Sequence, residues 1–414
     1  MNILYIDHYA GGPRYGMEFR PYYLAREWVR AGHRVTIVAA SESHVRSRQP
    51  AVDGRFAREV IDGVEFVWCR TPSYRGNGAA RVLNMVAFLR RLGQSHQWLD
   101  FKPDVVIASS TYPADIWPAR RIARRYGAKL VWEVHDLWPL SPIELGGMSK
   151  AHPFILWMQW AENVACRAAD VVVSMLPKAD LHLRKHGMQA SKFVYVPNGI
   201  DPAEWSEREP HPLPAGHADA IAAARARGDL LVAYAGAHGV ANALDSMLAA
   251  ATLCRDEPVT WLLVGGGPEK EALLRRARSE GLERVVMLDP VPKAAIPTLL
   301  RAMDVLYIGL QREPLFRFGI SPNKLMDYMM AGRPVICAIE SGNDPVAEAR
   351  CGETIAPEDP QALADAVRRM RARPSAEREN LGRAGRAFAE LHHLYPTLAQ
   401  RFIDAVSIHA QGKT

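Results

Sequence analysis

FGISPNKLMDYMMAGRPV, residues 318–335, joins a helix start, a helix and the beginning of a buried strand. Ser321 is a favourable N-cap residue and Pro322 suits the first helical position, so we expect a helix to begin there. Ala331-Gly332 would end that helix, and Pro334 would start the next strand. The stretch therefore predicts one helix–strand step of an α/β domain.

Three polar residues in this stretch need a further explanation. Asn323 and Lys324 fall in the first turn, where free backbone amides bind phosphate and a lysine adds positive charge. Asp327 lies one turn further on and can reach the hydroxyl groups of a ribose. A structural helix start would account for the serine, the proline and the glycine, but not for asparagine, lysine and aspartate together. The stretch predicts a binding site for a nucleotide-sugar.

Short apolar runs alternate with helical patterns along the whole chain. Most runs are continuous in valine, isoleucine and leucine, as in parallel strands buried on both faces, so we predict doubly wound parallel sheets. The predicted strands are Asn2–Asp7, Arg34–Ala40, Val64–Arg70, Asp104–Ser110, Leu130–His135, Val171–Met175, Phe193–Pro197, Leu230–Ala235, Trp261–Gly265, Val285–Asp289, Val305–Gly309, Pro334–Ala338 and Glu353–Ala356. Predicted helices include Phe19–Ala31, Ala79–Leu92, Pro113–Tyr126, Pro153–Ala169 and Lys178–Lys185.

A turn at Asn198–Pro202 interrupts this repetition, and no strand is predicted from there to Gly228. We therefore expect two Rossmann-like α/β domains, residues 1–198 and 199–390, facing each other across a cleft. Residues 391–414 are predicted to form a helix that packs back toward the N-terminal domain. Ligands bind outside the carboxyl ends of parallel strands, so site residues are expected at the strand ends.

Composition disfavours several classes of protein. The chain has 414 residues and a formal net charge of +6, without zinc-finger spacing, an RNP-like aromatic run or a basic arm, so nucleic acid is not a predicted partner. Its five scattered cysteines predict buried free thiols in a reducing compartment. No apolar run approaches the ~18 residues of a membrane span, and the N-terminus has no signal-peptide pattern. We expect a cytoplasmic protein, with the inner face of the inner membrane as a further location.

Glycines and a histidine follow two strands of the first half. Gly11 and Gly12 come after the first strand, where paired glycines let the backbone approach a ligand, although an ordinary turn explains them as well. The G-x-G-x-x-G fingerprint is absent, which disfavours a nicotinamide enzyme. His135 ends the fifth strand; it either hydrogen-bonds a donor phosphate or sugar hydroxyl, or is satisfied by the local backbone.

Two loops of the second half have the composition of phosphate-binding loops. Residues 234–239 read YAGAHG between a strand and a helix, and residues 262–270 read LLVGGGPEK. Their glycines would allow backbone amides to cradle a phosphate. Lys270 falls in the first turn of the following helix, where a cation opposes the helix dipole and favours a nearby anion.

Together these motifs resemble glycosyltransferase family 4, whose members are retaining enzymes of the GT-B fold. The resemblance covers nearly the whole chain and rests on Gly11–Gly12, His135, PNGID at 197–201, Gly265–Lys270 and Ser321–Val335. GGPRYGMEFRPYY at 11–23 and SPNKLMDY at 321–328 are most similar to the WbuB-like L-fucosamine transferases of bacterial surface polysaccharides. The resemblance implies a nucleotide-sugar donor on the C-terminal domain and an acceptor on the N-terminal one.

Two positions depart from the family's pattern. Many members carry two glutamates eight positions apart; here Asp327 occupies the second position and Gly319 the first, so the usual carboxylate contact to the donor sugar is missing. His238 stands where many relatives have an arginine for the diphosphate. Lys270 and Lys324 are therefore expected to share that role.

The predicted site comprises catalytic, donor and acceptor residues. The catalytic candidates are His135, Lys270 and Lys324. The nucleotide-sugar contacts are assigned to Gly11, Gly12, Gly236, His238, Gly239, Gly265, Gly267, Ser321, Asn323, Lys324, Leu325 and Asp327. The acceptor contacts are assigned to Tyr9, Arg14, Tyr15 and Arg20, as part of an aromatic and cationic lip. No D-x-D triplet occurs, so neither a metal nor another cofactor is expected, and lysines and helix-start amides would stabilise the leaving diphosphate.

The helix predicted at Ala79–Leu92 is relevant to the kind of acceptor that the protein uses. It has an apolar face and several arginines, so it either lies on an anionic membrane or is an ordinary half-buried helix. Transferases of this type commonly use lipid-diphosphate-linked acceptors, which makes peripheral membrane contact a hypothesis.

The favoured function is sugar transfer from a UDP-sugar, with an N-acetylated hexosamine or deoxyhexosamine as the expected sugar, to a lipid-linked or lipopolysaccharide O-antigen glycan. Two alternatives share the fold. A sugar-nucleotide epimerase would need acid and base carboxylates facing the sugar, and a catalytically inactive partner subunit would be consistent with Gly319. The retained His135, Lys270 and Lys324 argue against lost activity.

Overall fold

The computed structural model describes residues 1–206 and 211–411, with side chains through residue 408. The chain divides into two compact units. The first consists of Met1–Asn198, Phe318–Ile320 and the chain from Tyr395; the second consists of Gly199–Arg317 and Ser321–Leu394. Each unit has its own sheet, so the prediction of two parallel-sheet α/β units is confirmed.

The first unit is built on an eight-stranded sheet. Its strands are β1 (Asn2–Ile6), β2 (Arg34–Ala40), β3 (Phe56–Ile61), β4 (Val64–Cys69), β5 (Val105–Ala108), β6 (Lys129–Val134), β7 (Val171–Ser174) and β8 (Phe193–Tyr195). They are ordered β3-β4-β2-β1-β5-β6-β7-β8, and only β3 is antiparallel to its neighbour. Its helices are α1 (Arg20–Arg30), α2 (Ala79–Leu92), α3 (Ile116–Tyr126), α4 (Leu140–Glu144), α5 (Pro153–Ala168) and α6 (Asp180–Leu183).

The second unit is built on a six-stranded parallel sheet. Its strands are β9 (Leu230–Ala235), β10 (Val259–Val264), β11 (Val285–Leu288), β12 (Val305–Gly309), β13 (Val335–Ala338) and β14 (Gly352–Thr354), in the order β11-β10-β9-β12-β13-β14. Its helices are α7 (Ala215–Ala226), α8 (Leu244–Leu253), α9 (Lys270–Ser279), α10 (Ile296–Arg301), α11 (Asn323–Met330), α12 (Pro345–Ala349), α13 (Pro360–Ala372) and α14 (Ser375–His392). Short 3₁₀ turns lie at Ser95–Gln97, Pro113–Asp115, Arg184–His186, Ala190–Lys192, Pro202–Trp205, Val240–Asn242, Lys293–Ala295 and Pro314–Phe318.

The final helix, α15 (Tyr395–Gln411), completes the core of the first unit. The indole of Trp28 in α1 donates a hydrogen bond of 3.0 Å to the carbonyl of Ala399, and its ring meets Phe402 edge-on at 5.1 Å. Both aromatic side chains are almost fully buried. α15 therefore packs against α1 and forms part of the hydrophobic core of the first unit.

Most predicted strands lie within a residue or two of the observed ones, because continuous apolar runs mark strands buried on both faces. β3 was not predicted, since it is a half-exposed edge strand in which the adjacent charged residues Arg58 and Glu59 interrupt the apolar pattern. The Asp62-Gly63 turn that joins it to β4 is a hairpin signal, and both residues have positive φ. The helix predicted over Lys178–Lys185 is shorter, because α6 gives way to the Arg184–His186 turn.

Two further findings concern the chain as a whole. All five cysteines are buried and free, as predicted. No helix in the described ranges combines the length and the apolar character of a membrane span.

Candidate functional site

Lys324 is held at the end of β9 by neutral partners. Its Nζ donates hydrogen bonds to Tyr234 Oη at 2.6 Å and to Asn242 Oδ1 at 2.8 Å, and lies 4.4 Å from the centre of the Tyr234 ring. Burial lowers the pKa of Lys324 to about 8. Among the described residues no carboxylate pairs with this ammonium group, so its charge is not neutralised by the protein.

His238 lies beside Lys324 and is fully buried. Neither ring nitrogen has a hydrogen-bond partner in the described part of the chain. Burial, reinforced by the charges of Lys270 and Lys324, lowers the pKa of His238 to about 4, so the ring is neutral near pH 7. Buried polar groups are normally satisfied, and an unsatisfied one calls for an explanation such as an absent ligand.

The glycines of the two loops bring β9 and β10 together. A Cβ atom at Gly265 would overlap the carbonyl oxygen of Gly236 and come 3.2 Å from His238 Nε2, so only glycine fits there. The expectation that these two amides cradle phosphate is wrong in this structure. The amide of Gly236 donates to Val264 at 2.9 Å and that of Gly265 to Leu288 at 3.0 Å, so both are already used by backbone carbonyls.

The other two predicted glycines differ from this pair. The amides of Gly239 and Gly267 donate no hydrogen bond within residues 1–206 and 211–411. Gly267 lies against the His238 backbone, which a Cβ atom would overlap. These amides, rather than those of Gly236 and Gly265, have capacity for a ligand.

Lys270 begins α9 as predicted, but its ammonium group already forms an ion pair within the protein. Its Nζ donates to Asp289 Oδ1 at 2.6 Å and to the carbonyls of Gly265 and Leu288 at 3.1 and 3.2 Å. The side chain thus ties the ends of β10 and β11 together. Its charge lies close enough to His238 to lower the pKa of that ring, but a direct catalytic role would require it to leave Asp289.

The start of α11 differs by one position from the prediction. Pro322, not Ser321, occupies the N-cap position, and the helix begins at Asn323. The amide of Leu325 donates to the carbonyl of Pro322 at 3.1 Å. It is therefore not free to bind a phosphate, contrary to the prediction. Asn323 is exposed at the helix start, where an anion would be stabilised.

Asp327 lies one turn further along α11 and is half-buried. Burial raises the pKa of its carboxyl group to about 7, and the nearby charge of Glu204 acts in the same direction. The carboxyl group accepts a hydrogen bond from the side chain of Trp205. A carboxylate has several acceptor positions, so Trp205 leaves capacity for a further hydroxyl group.

The first unit has a different cluster at the carboxyl ends of β1, β5 and β6. Glu133 is buried and accepts hydrogen bonds from Tyr5 at 2.5 Å, from Ser109 at 2.6 Å and from Arg20 Nε at 2.9 Å. Burial raises the pKa of Glu133, but the charge of Arg20, the charge and hydrogen bond of His135 and the hydrogen bond of Ser109 together outweigh burial and hold the pKa well below its usual range. Glu133 is therefore an ionised, fully satisfied carboxylate.

His135 joins this cluster through its Nε2 atom, which lies 2.8 Å from Ser109 Oγ and 3.4 Å from Glu133. Burial lowers the pKa of His135, but the hydrogen bond and the charge of Glu133, with that of Asp7, raise it above its usual value. Burial also raises the pKa of Asp7 to about 7. The hydrogen-bonding partners of His135 Nε2 are therefore side chains, whereas one of the two predictions was that the local backbone would satisfy this ring.

The acceptor lip predicted around the first strand is largely buried. Arg20 is 1% exposed, pairs with Glu133, and donates to the carbonyls of Pro197 and Val196 at 2.5 and 2.8 Å. Its assignment to the acceptor is therefore wrong for this structure: the guanidinium group is a structural centre. Tyr9 is also buried, and its hydroxyl accepts from Arg81 at 3.1 Å.

Arg14 and Tyr15 remain nearer the surface but share one partner. Arg14 Nη1 and Tyr15 Oη donate to the two carboxylate oxygens of Glu59 at 2.5 and 2.6 Å. Arg14 is largely exposed, with 61% of its side chain accessible. Of the four predicted acceptor residues, Arg14 is the one with its side chain most open to solvent.

Gly11 and Gly12 do not form a ligand cradle. Their amides donate to the carbonyls of Glu18 and Gly16 at 2.8 and 2.9 Å, and both residues are buried. A Cβ atom at Gly11 would overlap the carbonyl oxygen of Gly16. These glycines therefore allow two stretches of backbone to pack closely. This agrees with the alternative that they form an ordinary turn.

Gly319 has a φ of +99°, a conformation that side chains other than glycine rarely adopt. A glutamate at this position would therefore be strained. The replacement of the usual carboxylate by glycine agrees with the local backbone.

Several residues that hold these sites were not singled out from the sequence. Tyr234 and Asn242 anchor Lys324, and Ser109 links His135 to Glu133. Tyr234 and Ser109 lie at strand ends, where a search for polar residues beside the loops would have found them. The position of Asn242 depends on the turn at Val240–Asn242, which no sequence pattern indicated.

Two family models match the chain, one in each unit. The model described as glycosyl transferase 4-like domain matches residues 15–199, and that described as glycosyl transferases group 1 matches residues 229–373. The probable glycosyltransferase WbjE of Pseudomonas aeruginosa is 24% identical over 266 residues, which span 63% of this chain and 64% of that protein. The putative colanic acid biosynthesis glycosyl transferase WcaI of Escherichia coli K12 is 24% identical over 334 residues, 76% of this chain and 78% of that protein.

Solved structures share the fold over nearly the whole chain. Sucrose-phosphate synthase from Thermosynechococcus elongatus has a TM-score of 0.71 at 18% identity, covering 98% of both chains. Anabaena HepE in complex with UDP has a TM-score of 0.67 at 17% identity, covering 99% of this chain and 100% of that one. WaaG, a glycosyltransferase involved in lipopolysaccharide biosynthesis, has a TM-score of 0.65 at 15% identity with the same coverage.

The fold is therefore GT-B, and the family models fall on its two parallel-sheet units in turn. Together they span most of the chain. The chain belongs to the glycosyltransferases of the GT-B fold, with a glycosyl transferase 4-like N-terminal part and a C-terminal part of the glycosyl transferases group 1.

Proposed function

We propose that this chain transfers a sugar from a UDP-sugar to a glycan acceptor with retention of configuration. The observation that carries the proposal is the pair Lys324 and His238. His238 is fully buried, the ammonium group of the half-buried Lys324 lies beside the carboxyl end of β9, and neither residue has a counter-ion among the described residues. A diphosphate would neutralise the ammonium group and accept a hydrogen bond from the imidazole. HepE, which shares the fold, has been solved with UDP and with UDP-glucose.

In the proposed reaction the bond between the sugar C1 and the diphosphate oxygen breaks, and a bond from C1 to the acceptor hydroxyl oxygen forms on the same face. The hydroxyl proton passes to the departing diphosphate, so no enzyme nucleophile is required. Lys324 and the amides of Gly239 and Gly267 would stabilise the developing charge.

Donor recognition is assigned to α11 and its surroundings. We assign Asp327 to the ribose hydroxyls, with Trp205 orienting its carboxyl group. No carboxylate is available at Gly319, so the sugar must be recognised differently from the family's usual pattern. An N-acetylated hexosamine or deoxyhexosamine is the proposed sugar, from the resemblance to the L-fucosamine transferases.

A lipid-linked or lipopolysaccharide glycan is the proposed acceptor. WcaI is named for colanic acid biosynthesis and WaaG for lipopolysaccharide biosynthesis, which supports a bacterial polysaccharide as the product. If the enzyme contacts a membrane, α3 and α5 provide a better surface than the buried lip. Trp160 and Leu156 in α5 are 62% and 57% exposed, and Trp160 contacts Trp117 in α3 at 4.8 Å. Arg121 lies one turn after Trp117 and is exposed, a combination that suits an anionic interface.

Titration with UDP, GDP and their sugars tests the proposed function. Micromolar binding of UDP, with hydrolysis or transfer of the sugar, would support it. Conversion of a UDP-sugar to its epimer without an acceptor would indicate the epimerase alternative. Absence of binding to any nucleotide-sugar would indicate an inactive partner subunit.

A further inference from the structure

A second group of polar side chains converges in the first unit, away from the residues discussed so far. Glu162 lies on α5, His182 on α6 and His186 in the Arg184–His186 turn. One ligand atom from each of the three residues lies within 4.8 Å of the other two. In the part of the chain that the structure describes, this is the one such set of three His, Cys, Asp or Glu side chains.

The histidines have the spacing of a metal-binding pair. His182 and His186 are four residues apart, which places both rings on the same side of one helical turn, with ring centres 4.5 Å apart. His182 Nε2 lies 2.9 Å from Glu162 Oε1, and His186 Nδ1 lies 3.8 Å from Glu162 Oε2. Ligand atoms around a tetrahedral zinc ion lie about 3.3 Å apart, and the three ligand atoms here, all within 4.8 Å of one another, would draw closer around the ion.

Glu162 is a buried carboxylate without a permanently charged partner. Its side chain is 1% exposed, and its ion-pair partners among the described residues are the two histidines. A buried carboxylate needs compensating charge. A divalent cation held by the three side chains would supply it.

The hydrogen bonds around Gln159 provide an independent observation. Its amide nitrogen lies 2.6 Å from Glu162 Oε2, 2.9 Å from His186 Nδ1 and 3.1 Å from Asn163 Oδ1. An amide group has two hydrogens, so it cannot satisfy three acceptors. His186 Nδ1 also lies 2.9 Å from Asn163 Oδ1, and it cannot both accept from Gln159 and donate to Asn163. The contacts at His186 Nδ1 therefore compete with one another, because this atom either accepts from Gln159 or donates to Asn163.

We propose that Glu162, His182 and His186 bind a divalent transition-metal ion, for which Zn²⁺ has the matching chemistry. Two imidazoles and a carboxylate are ligands that zinc accepts, whereas magnesium and calcium favour sets made only of oxygen. Rotation of the Gln159 amide would present its oxygen as a fourth ligand, because the oxygen and nitrogen of such a group exchange places by a simple flip.

The role of this ion is structural. It joins α5 to α6 and the turn that follows, a short segment with few residues of its own to stabilise it. The His182 ring also meets the ring of Phe318 edge-on at 5.8 Å within the same unit. The ion would therefore fix the position of α6 and the side chain that packs on it, without taking part in sugar transfer.

The test measures metal content and thermal stability of the full chain, purified with a tag that contains no histidine. After dialysis against EDTA and then against buffer with micromolar free Zn²⁺, the wild type should hold one zinc per chain. Its thermal midpoint should rise by roughly 5 °C on zinc addition, because binding to the native state stabilises it. Co²⁺ in place of Zn²⁺ should give the intense visible absorption of a tetrahedral site.

His186→Gln is the main variant, because His186 is partly exposed and glutamine retains hydrogen-bonding capacity. It should bind zinc at least tenfold more weakly and lose the thermal shift, and His182→Gln should do the same. His96→Gln, which removes an exposed histidine outside the cluster, is the matched control and should behave as the wild type. The proposal is overturned if the wild type takes up no zinc and gives no cobalt spectrum, or if His186→Gln binds as much zinc as the control. The Co²⁺ spectrum of the wild type decides the question even if a variant fails to fold.

Discussion

The two units place charged groups at the ends of their parallel strands in opposite ways. In the first unit, the carboxylate of Glu133 forms ion pairs with Arg20 and His135. Both of its oxygens also accept hydrogen bonds. In the second unit, the half-buried Lys324 donates to the neutral side chains of Tyr234 and Asn242, and within the described residues neither ring nitrogen of His238 has a hydrogen-bond partner. A cluster that is complete without a ligand holds the fold, whereas one that is incomplete is built for a ligand.

The directions of the pKa shifts express the same difference. For Glu133 and His135 in the first unit, the partners together outweigh burial and stabilise the charged forms, so the pKa of Glu133 falls and that of His135 rises. In the second unit, burial prevails and favours the neutral forms, so the pKa values of Lys324 and His238 both fall. Perturbed groups that lack a partner are the stronger candidates for ligand contact.

The largest expected effect is on stability, from removing the centre of the first cluster. Arg20→Met should lower the free energy of unfolding by about 3–5 kcal/mol, because it leaves Glu133 buried without a counter-charge. Denaturant unfolding monitored by circular dichroism measures this. Arg14→Met is the matched control: it breaks a solvent-exposed pair with Glu59 and should cost less than about 1 kcal/mol. Equal costs for the two variants would contradict the structural role of Arg20.

The second effect is on donor binding, and it comes from removing the ammonium group of Lys324, which has no counter-ion among the described residues. Lys324→Met should weaken UDP binding at least tenfold, since a charge-assisted phosphate contact contributes about 1.5–3 kcal/mol. Without ligand, the variant should be as stable as the wild type or more so, because a buried, unpaired ammonium group is replaced by an apolar chain.

Isothermal titration with UDP and a thermal melt of the free protein measure the two quantities. Lys150→Met, at an exposed lysine, is the control for the loss of one positive charge. A variant that binds UDP normally would remove Lys324 from the site. A variant that loses stability instead would make the second cluster structural, like the first.

The third effect is a pH dependence with opposite signs for binding and for stability. The pKa of Lys324 in the free protein is about 8, so deprotonation above that pH should lower UDP affinity by up to about tenfold per pH unit. The unfolded chain keeps this lysine protonated until its usual pKa near 10.5. Between about pH 8 and 10.5 the unfolded state therefore binds more protons, and the stability contribution of this group rises with pH.

Titrations of the wild type and Lys324→Met from pH 7 to pH 9.5 test this assignment. In the variant, both trends should flatten. A fall in affinity that persists in Lys324→Met would assign the titration to another group.

Much of the fold could be predicted from the sequence, because buried parallel strands leave continuous apolar runs. The bounds of β2, β9 and β12 were predicted without error. The pattern could not reveal β3, an edge strand whose polar residues face solvent, or the way α15 completes the first core through contacts with α1, far away in the sequence.

The candidate site was predicted in part. Lys324 was predicted from its position in the first turn of a helix and His238 from its position in a loop after a strand, because both residue type and position can be read from the sequence. The sequence could not show that Arg20 is buried against Glu133, or that the Gly11 and Gly236 amides are used by backbone carbonyls. A glycine or an arginine looks the same in the sequence whether its partner is a ligand or another part of the chain, and only tertiary contacts distinguish the two.

The smallest expected effect is that of a chelator on catalysis. We propose that Lys324 and the free amides supply the counter-charge for the diphosphate, so EDTA added to the assay should change initial transfer rates less than twofold, and Mg²⁺ should not stimulate them. The proposed zinc site predicts a separate result: prolonged EDTA treatment lowers the thermal midpoint while initial rates at moderate temperature persist. Measuring rate and melting on the same samples separates the two. Complete loss of activity restored by Mg²⁺ would mean that Lys324 and the free amides do not balance the charge of the diphosphate by themselves, and that the diphosphate needs a metal ion as well.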